Sequence, residues 1–183
     1  MRIIAGTWRG RRLLAPKDGR IRPTSDRARE ALFDILDHGT PPLRGARFLD
    51  VFCGTGAVGL EALSRGAAEV LLIDNDPEAL QLANANIAHL GSPPGIHVLA
   101  ADATRPGPAR VPFDLVFFDP PYRSDLAAPA LAALVDGWLA PDARIIVELD
   151  AKQGLDFPDD FALAQERRYG AAKFLFLQWA TRR

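Results

Sequence analysis

A chain of 183 residues, 48% hydrophobic and 25% charged, has the size and make-up of a single globular domain with a full core. Its apolar runs are too short for a membrane-spanning helix, and one cysteine excludes an internal disulfide. Met1 to Gly10 lacks the apolar core of a signal peptide, so a cytoplasmic protein with no membrane association is expected.

The net charge of −1 hides a polarity. Residues 1–30 carry nine Lys/Arg against three acids, whereas the rest of the chain carries 13 against 20. A basic end on an acidic body points to a polyanion docking at that end. His38, His89, His97 and Cys53 show no metal-ligand spacing, so no metal is expected.

In chain order, Arg2–Ala5 and Arg11–Ala15 read as two short strands around Gly6-Thr7-Trp8-Arg9-Gly10. Arginines flank this turn and Trp8 stands at its tip, a pattern suited to gripping phosphates and stacking on a base. Arg9, Arg11, Arg12, Arg22 and Trp8 are the nucleic-acid-binding candidates. Residues 1–24 are read as a basic arm and 25–183 as the main domain. Pro16 to Thr24 is a loop; Ser25 is the expected N-cap of a helix carrying Ala28, Ala31, Leu32, Ile35 and Leu36.

From Ala46 strands and helices alternate. Expected strands are Phe48–Val51, Val70–Ile73, Ile96–Ala100, Leu115–Phe118 and Arg144–Leu149, with helices over Ala57–Arg65, Pro77–Leu90 and Leu126–Leu139. Phe161–Tyr169 and Lys173–Trp179 read as an antiparallel hairpin joined at Gly170. The expected architecture is a Rossmann-like α/β fold. It has a mostly parallel seven-stranded sheet, helices on both faces and a C-terminal antiparallel pair.

Two stretches carry chemistry. The first strand runs into Asp50-Val51-Phe52-Cys53-Gly54-Thr55-Gly56-Ala57-Val58-Gly59, where glycines allow a tight turn and close backbone approach by a ligand. Asp74 ends the second strand, where a carboxylate can accept bonds from both ribose hydroxyls, as in dinucleotide enzymes. Asp50, four residues before Gly54, would repel a pyrophosphate but suits an ammonium, and Asp102 with Ala103 suits an adenine. Both readings, a nicotinamide enzyme and one using S-adenosylmethionine (SAM), stay open on these residues, with SAM the better fit.

The second stretch is Asp119-Pro120-Pro121-Tyr122, at the end of an apolar strand. Proline fixes φ near −65° and keeps the preceding residue extended, so the pair is a stiff platform with aimed carbonyls. A carboxylate, a fixed carbonyl and a ring could hold a flat, amine-bearing ligand; a plain strand-ending turn has the same composition.

Taken together these residues resemble the class I SAM-dependent methyltransferases, and within them the bacterial RsmD type. The narrower likeness lies in Arg2 to Leu13 and Arg22 to Phe33; Phe48 to Gly66 and Asp119 to Tyr122 carry the class-wide part. The resemblance implies methylation of a guanine N2 in 16S ribosomal RNA, within an assembling small ribosomal subunit. It implies SAM as methyl donor, S-adenosyl-L-homocysteine as product, base flipping, and a monomeric enzyme. It assigns Asp119, Pro120, Pro121 and Tyr122 to catalysis, and Asp50, Phe52, Gly54, Gly56, Asp74, Asn75, Asp102 and Ala103 to the cofactor. Asp74-Asn75-Asp76 departs mildly, since relatives often place Glu before the second Asp. A DNA or adenine-N6 methyltransferase, a dehydrogenase and a non-catalytic RNA-binding module are the alternatives.

Overall fold

The computed structural model describes residues 1–15, 26–121 and 124–179. Within them the elements are α1 (Asp26–Asp37), β1 (Arg47–Val51), α2 (Ala57–Ser64), β2 (Glu69–Asp74), α3 (Pro77–His89), β3 (Ile96–Ala100), β4 (Phe113–Phe118), α4 (Ala127–Ala133), β5 (Leu139–Asp150), β6 (Phe161–Tyr169) and β7 (Ala172–Trp179). The strands form one sheet of order β3-β2-β1-β4-β5-β7-β6. The β1, β2, β3, β4 and β5 pairings are parallel, while β7 is antiparallel to both β5 and β6. The Rossmann-like class I architecture read from the sequence is the one observed.

Alternation along the central strands divides the core. Phe48, Leu72, Leu115, Phe117, Phe174 and Phe176 join residues of α1, α2 and α3 on one face. Leu49, Val51, Val116, Phe118, Ile145 and Leu175 join Ala130 and Leu131 of α4 on the other. Strands buried on both faces carry near-continuous apolar runs, as β1 and β4 do. The small side chains of α2 let it sit close to the sheet: a Cβ added at Gly59 would meet Leu72 Cδ2 at 2.3 Å and Val70 Cγ1 at 2.9 Å. At α3, Pro77 opens the helix and Asp76 caps it, accepting from Glu78 N–H at 2.8 Å.

Two elements differ from the sequence reading. The helix expected over Leu126–Leu139 stops at Ala133, and β5 starts at Leu139 rather than Arg144. Gly137 turns the chain with φ 82°, and Trp138 is drawn into the core, stacked on Phe113 with its Nε1–H donating to Gly107 O at 3.0 Å. Tertiary packing of one aromatic thus outweighs helix propensity. At the N-terminus, an isolated bridge between Arg2 and Arg12 stands where two strands were expected. Backbone groups that would have built a longer ladder go to α2 instead: Ile4 and Ala5 N–H donate to the Glu61 carboxylate at 2.7 and 3.0 Å. The Ser25 cap lies outside the described residues.

Candidate active site

Strand register brings the chemical side chains to one level. Val51 pairs with Ile73 on one side and Phe118 on the other, so Phe52, Asp74 and Asp119, the next residues, emerge side by side. Asp74 pairs with Ala100, the last residue of the adjoining strand, which sets Asp102 two residues beyond that strand's end. β1 leads to β2 on one side and neighbours β4 on the other, so this carboxyl edge is a topological switch point. Open α/β sheets hold ligands in that crevice.

The glycine turn is pinned from below and from the side. Cys53 N–H donates to Ile73 O at 3.0 Å, Gly54 N–H to Asp74 Oδ2 at 2.9 Å, and Gly56 N–H to Cys53 O at 2.8 Å. Phe52, Gly54 and Gly56 have φ of 62°, 53° and 73°. Glycine adopts this region freely. Phe52 does not; a bulky residue held there stores roughly 1–3 kcal/mol of strain. Its ring lies against Phe118, centroids 6.5 Å apart.

Asp50 sits under this turn, 1% exposed, with Oδ2 accepting from Gly59 N–H at 2.8 Å in the first turn of α2. Burial outweighs that hydrogen bond and, with repulsion from Asp74, pushes the carboxyl from 3.8 up to about 8. Burial, then the Asp50 and Asp74 carboxylates, also pushes the Cys53 thiol up, leaving it a packing residue.

Asp74 is half-buried, and its Oδ1 accepts from Asp76 N–H at 3.0 Å; Asn75 beside it is exposed. Asp102 is exposed, and its Oδ1 accepts from both the N–H and the hydroxyl of Thr104 at 2.8 Å. Those bonds hold its carboxyl below the usual range. Ala103 is buried. On the other side of the switch, Asp119 N–H donates to Val51 O at 3.3 Å, tying the platform to the start of the glycine turn. Asp119 is half-buried, Pro120 buried and Pro121 exposed; Tyr122 lies outside the described residues.

Of the basic arm, Arg9, Arg11 and Arg12 are exposed. Trp8, expected in the open, is half-buried against Ile3, Leu13, Leu60 and Leu90. Arg9 also lines a cleft of about 320 Å³ with Arg2 and with Asp26, Arg27 and Glu30 of α1. Arg22 lies outside the described residues.

A family model described as Conserved hypothetical protein 95 matches residues 1–178. The chain is 39% identical to ribosomal RNA small subunit methyltransferase D of Escherichia coli K12, covering 97% of this chain and 89% of that protein. The chain belongs to the RsmD family. The Haemophilus influenzae protein of the same name is 34% identical, over 97% of this chain and 93% of its own. The solved Escherichia coli protein yhhF, provisionally described as a methyltransferase, superposes with a TM-score of 0.86 at 37% identity, covering 100% of this chain and 99% of that one.

In this RsmD-family chain, three polar residues that the sequence reading passed over hold the arm. Glu61 of α2 is fully buried and, besides Ile4 and Ala5, accepts from Arg65 Nε at 2.8 Å and faces Arg29 Nε at 3.8 Å. Arg29, also fully buried, donates from Nη2 to Arg2 O and to Asp26 Oδ1. Asn86 of α3 bonds both backbone groups of Leu14. A charged or amide residue on an otherwise apolar helix face was their available signal.

Proposed function

We propose that this chain is an SAM-dependent ribosomal RNA methyltransferase acting on the exocyclic N2 of a guanine in 16S rRNA. The observation that supports the reading is the junction of Asp119 with Val51, which puts Asp119 and the two prolines after it directly beside the glycine turn. The names of the relatives support the rRNA substrate.

The donor set fits the cofactor's chemistry. Asp74 and Asp102 accept hydrogen bonds, and Asp50, which holds its proton to about 8 in the ligand-free protein, would be drawn into its charged form by an ammonium beside it. Ribose hydroxyls, an adenine amine and an ammonium are all donors, whereas a dinucleotide pyrophosphate would meet repulsion here. Asp74 would hold the ribose with Asn75 beside it, and Asp102 Oδ2 with Ala103 the adenine. Gly54, Gly56 and Phe52 would line the amino-acid end over Asp50. When bound, SAM supplies an electrophilic methyl group on a sulfonium.

The protein's part in the chemistry is to prepare the nucleophile. An amino nitrogen on a base is poor because its lone pair is delocalised into the ring. With one N–H donating to Asp119 and the other to the Pro120 carbonyl, the nitrogen turns toward sp³ and its lone pair is aimed. Positioning of this kind is worth roughly 7–11 kcal/mol in favourable cases. The proton released after transfer can pass to Asp119, and no strong base is needed because a methylated ammonium is acidic. Tyr122 would stack on the flipped base at about 1–3 kcal/mol, comparable with the cost of unstacking it. Arg9, Arg11, Arg12, Arg22 and Trp8 would carry the RNA, in the cytoplasm and on an assembling small subunit, with the enzyme a monomer.

Asp119→Ala tests this. SAM affinity by calorimetry should stay within about twofold. Tritiated methyl transfer to 16S rRNA, with nucleoside mass spectrometry for N2-methylguanosine, should fall by roughly 10²–10⁴. Full turnover in the variant would refute the mechanism, and N6-methyladenosine as product would move the substrate to adenine.

A further inference from the structure

The N-terminal segment and the glycine turn share a single buried side chain. Asn86 lies on α3 with no exposed surface, at a helix-interior position where asparagine is a weak helix former. Its Oδ1 accepts from Leu14 N–H at 2.7 Å, and its Nδ2 donates to Leu14 O at 3.2 Å. The amide thus meets the Leu14 backbone as a neighbouring strand would. The same Nδ2 donates to Thr55 O at 3.0 Å, and Thr55 stands between Gly54 and Gly56. Leu14 is 45% exposed, so its position is set by the backbone clamp more than by apolar burial.

A second contact runs the same way: the Thr55 hydroxyl lies 3.9 Å from Met1 Sδ. A third passes through α2, whose Glu61 takes the Ile4 and Ala5 amides while Gly59, two residues earlier, donates to Asp50 beneath the turn. Arg12 is two residues before the clamped Leu14, so a displacement of Leu14 carries the arginines with it.

We infer that Asn86 is a positioning residue coupling the two halves of the site: seating of a ligand on the glycine turn fixes the arm that meets RNA, and the reverse. The inference rests on the functional reading above. Thr55 O and Leu14 share one amide, so the turn and the arm have one favoured relative placement. A ligand that stabilises either favours that placement for both. Linkage makes the effect reciprocal. Truncation at Asn86 strands Leu14 N–H, Leu14 O and Thr55 O without their partner and leaves only the Met1 contact and the path through Glu61 between turn and arm.

Three measurements on the full chain test it. In the wild type, SAM should slow hydrogen exchange at the Leu14 amide at least fivefold, although Leu14 is outside the glycine turn. Saturating SAM should also tighten binding of 16S rRNA transcribed in vitro, by roughly five- to tenfold in fluorescence titrations. In Asn86→Ala, and in Asn86→Asp, which lacks the Nδ2 donor, that factor should fall to about half or less, with exchange at Val116 in β4 unchanged. A purely structural role would shift stability and leave the factor intact, and an intact factor overturns the inference. If both variants fail to fold, wild-type exchange decides: an unaltered Leu14 amide in the presence of bound SAM overturns it. Absence of SAM binding would bring down the functional reading and this inference together, whereas SAM binding without coupling brings down the inference alone.

Discussion

Asp50 is a residue whose ionisation the fold resists. In an unfolded chain its carboxyl releases its proton near 3.8; in the fold it holds the proton to about 8. Between those values the unfolded state is ionised and the folded state is not, so the fold loses stability as pH rises across the window. The contribution is fully present below about 4 and gone above about 8. While the window is being crossed, this group adds a slope on the order of 1 kcal/mol per pH unit. Urea unfolding of the ligand-free protein at pH 5, 6.5 and 8 should show that decline. Asp50→Asn keeps an oxygen for Gly59 N–H but carries no charge, so its profile should be flatter and its stability at pH 8 higher by a few kcal/mol. Parallel profiles for the two proteins would mean that Asp50 is ionised in the fold. The strained Phe52 beside it makes the same point about this turn: its backbone geometry is kept at some cost in stability.

At the scale of elements, the arm is held by a buried charge cluster more than by strand pairing. Glu61 and Arg29 are both fully buried, and removing one partner of such a cluster leaves the other charge uncompensated. Glu61→Ala should therefore lose roughly 3–5 kcal/mol in urea unfolding. It should also open the arm to trypsin at Arg9, Arg11 and Arg12 before the rest of the chain is cut. A loss below about 1 kcal/mol with no early cleavage would show that apolar packing of Ile3 and Leu13 suffices. The contrast explains what could be read in advance. β1, β2, β4 and the glycine turn were legible because their signal is local: apolar runs, glycines and an acid at each strand end. The end of α4, the start of β5 and the docking of the arm were not. Each is decided by a partner far along the chain, Gly107 for Trp138 and Glu61 for Ile4 and Ala5. The switch-point junction of Asp119 with Val51 lies between these cases, since both strand ends were visible but their adjacency was not.

For the whole molecule, the uneven charge defines a direction of approach. Asp50, Asp74, Asp102 and Asp119 gather at or just past the carboxyl ends of β1, β2, β3 and β4, while Arg9, Arg11 and Arg12 stand exposed on the arm. On the proposed function, a polyanion would be drawn to the arm and a small cation to the carboxylate edge. The arm also sits on α2 and α3, the helices that carry Glu61 and Asn86, and so its arginines are presented from a fixed base. Replacing Arg9, Arg11 and Arg12 together by alanine removes three exposed charges without touching the buried clamp. Binding of 16S rRNA should weaken at 50 mM salt and converge toward the wild type at high salt. The slope of log K against log salt should fall by about 2–3, since each lost single-strand or duplex phosphate contact releases about 0.7–0.9 fewer counterions. SAM affinity and thermal stability should stay as they are, because none of the three side chains takes part in the core. An unchanged salt slope would take Arg9, Arg11 and Arg12 off the RNA-binding surface.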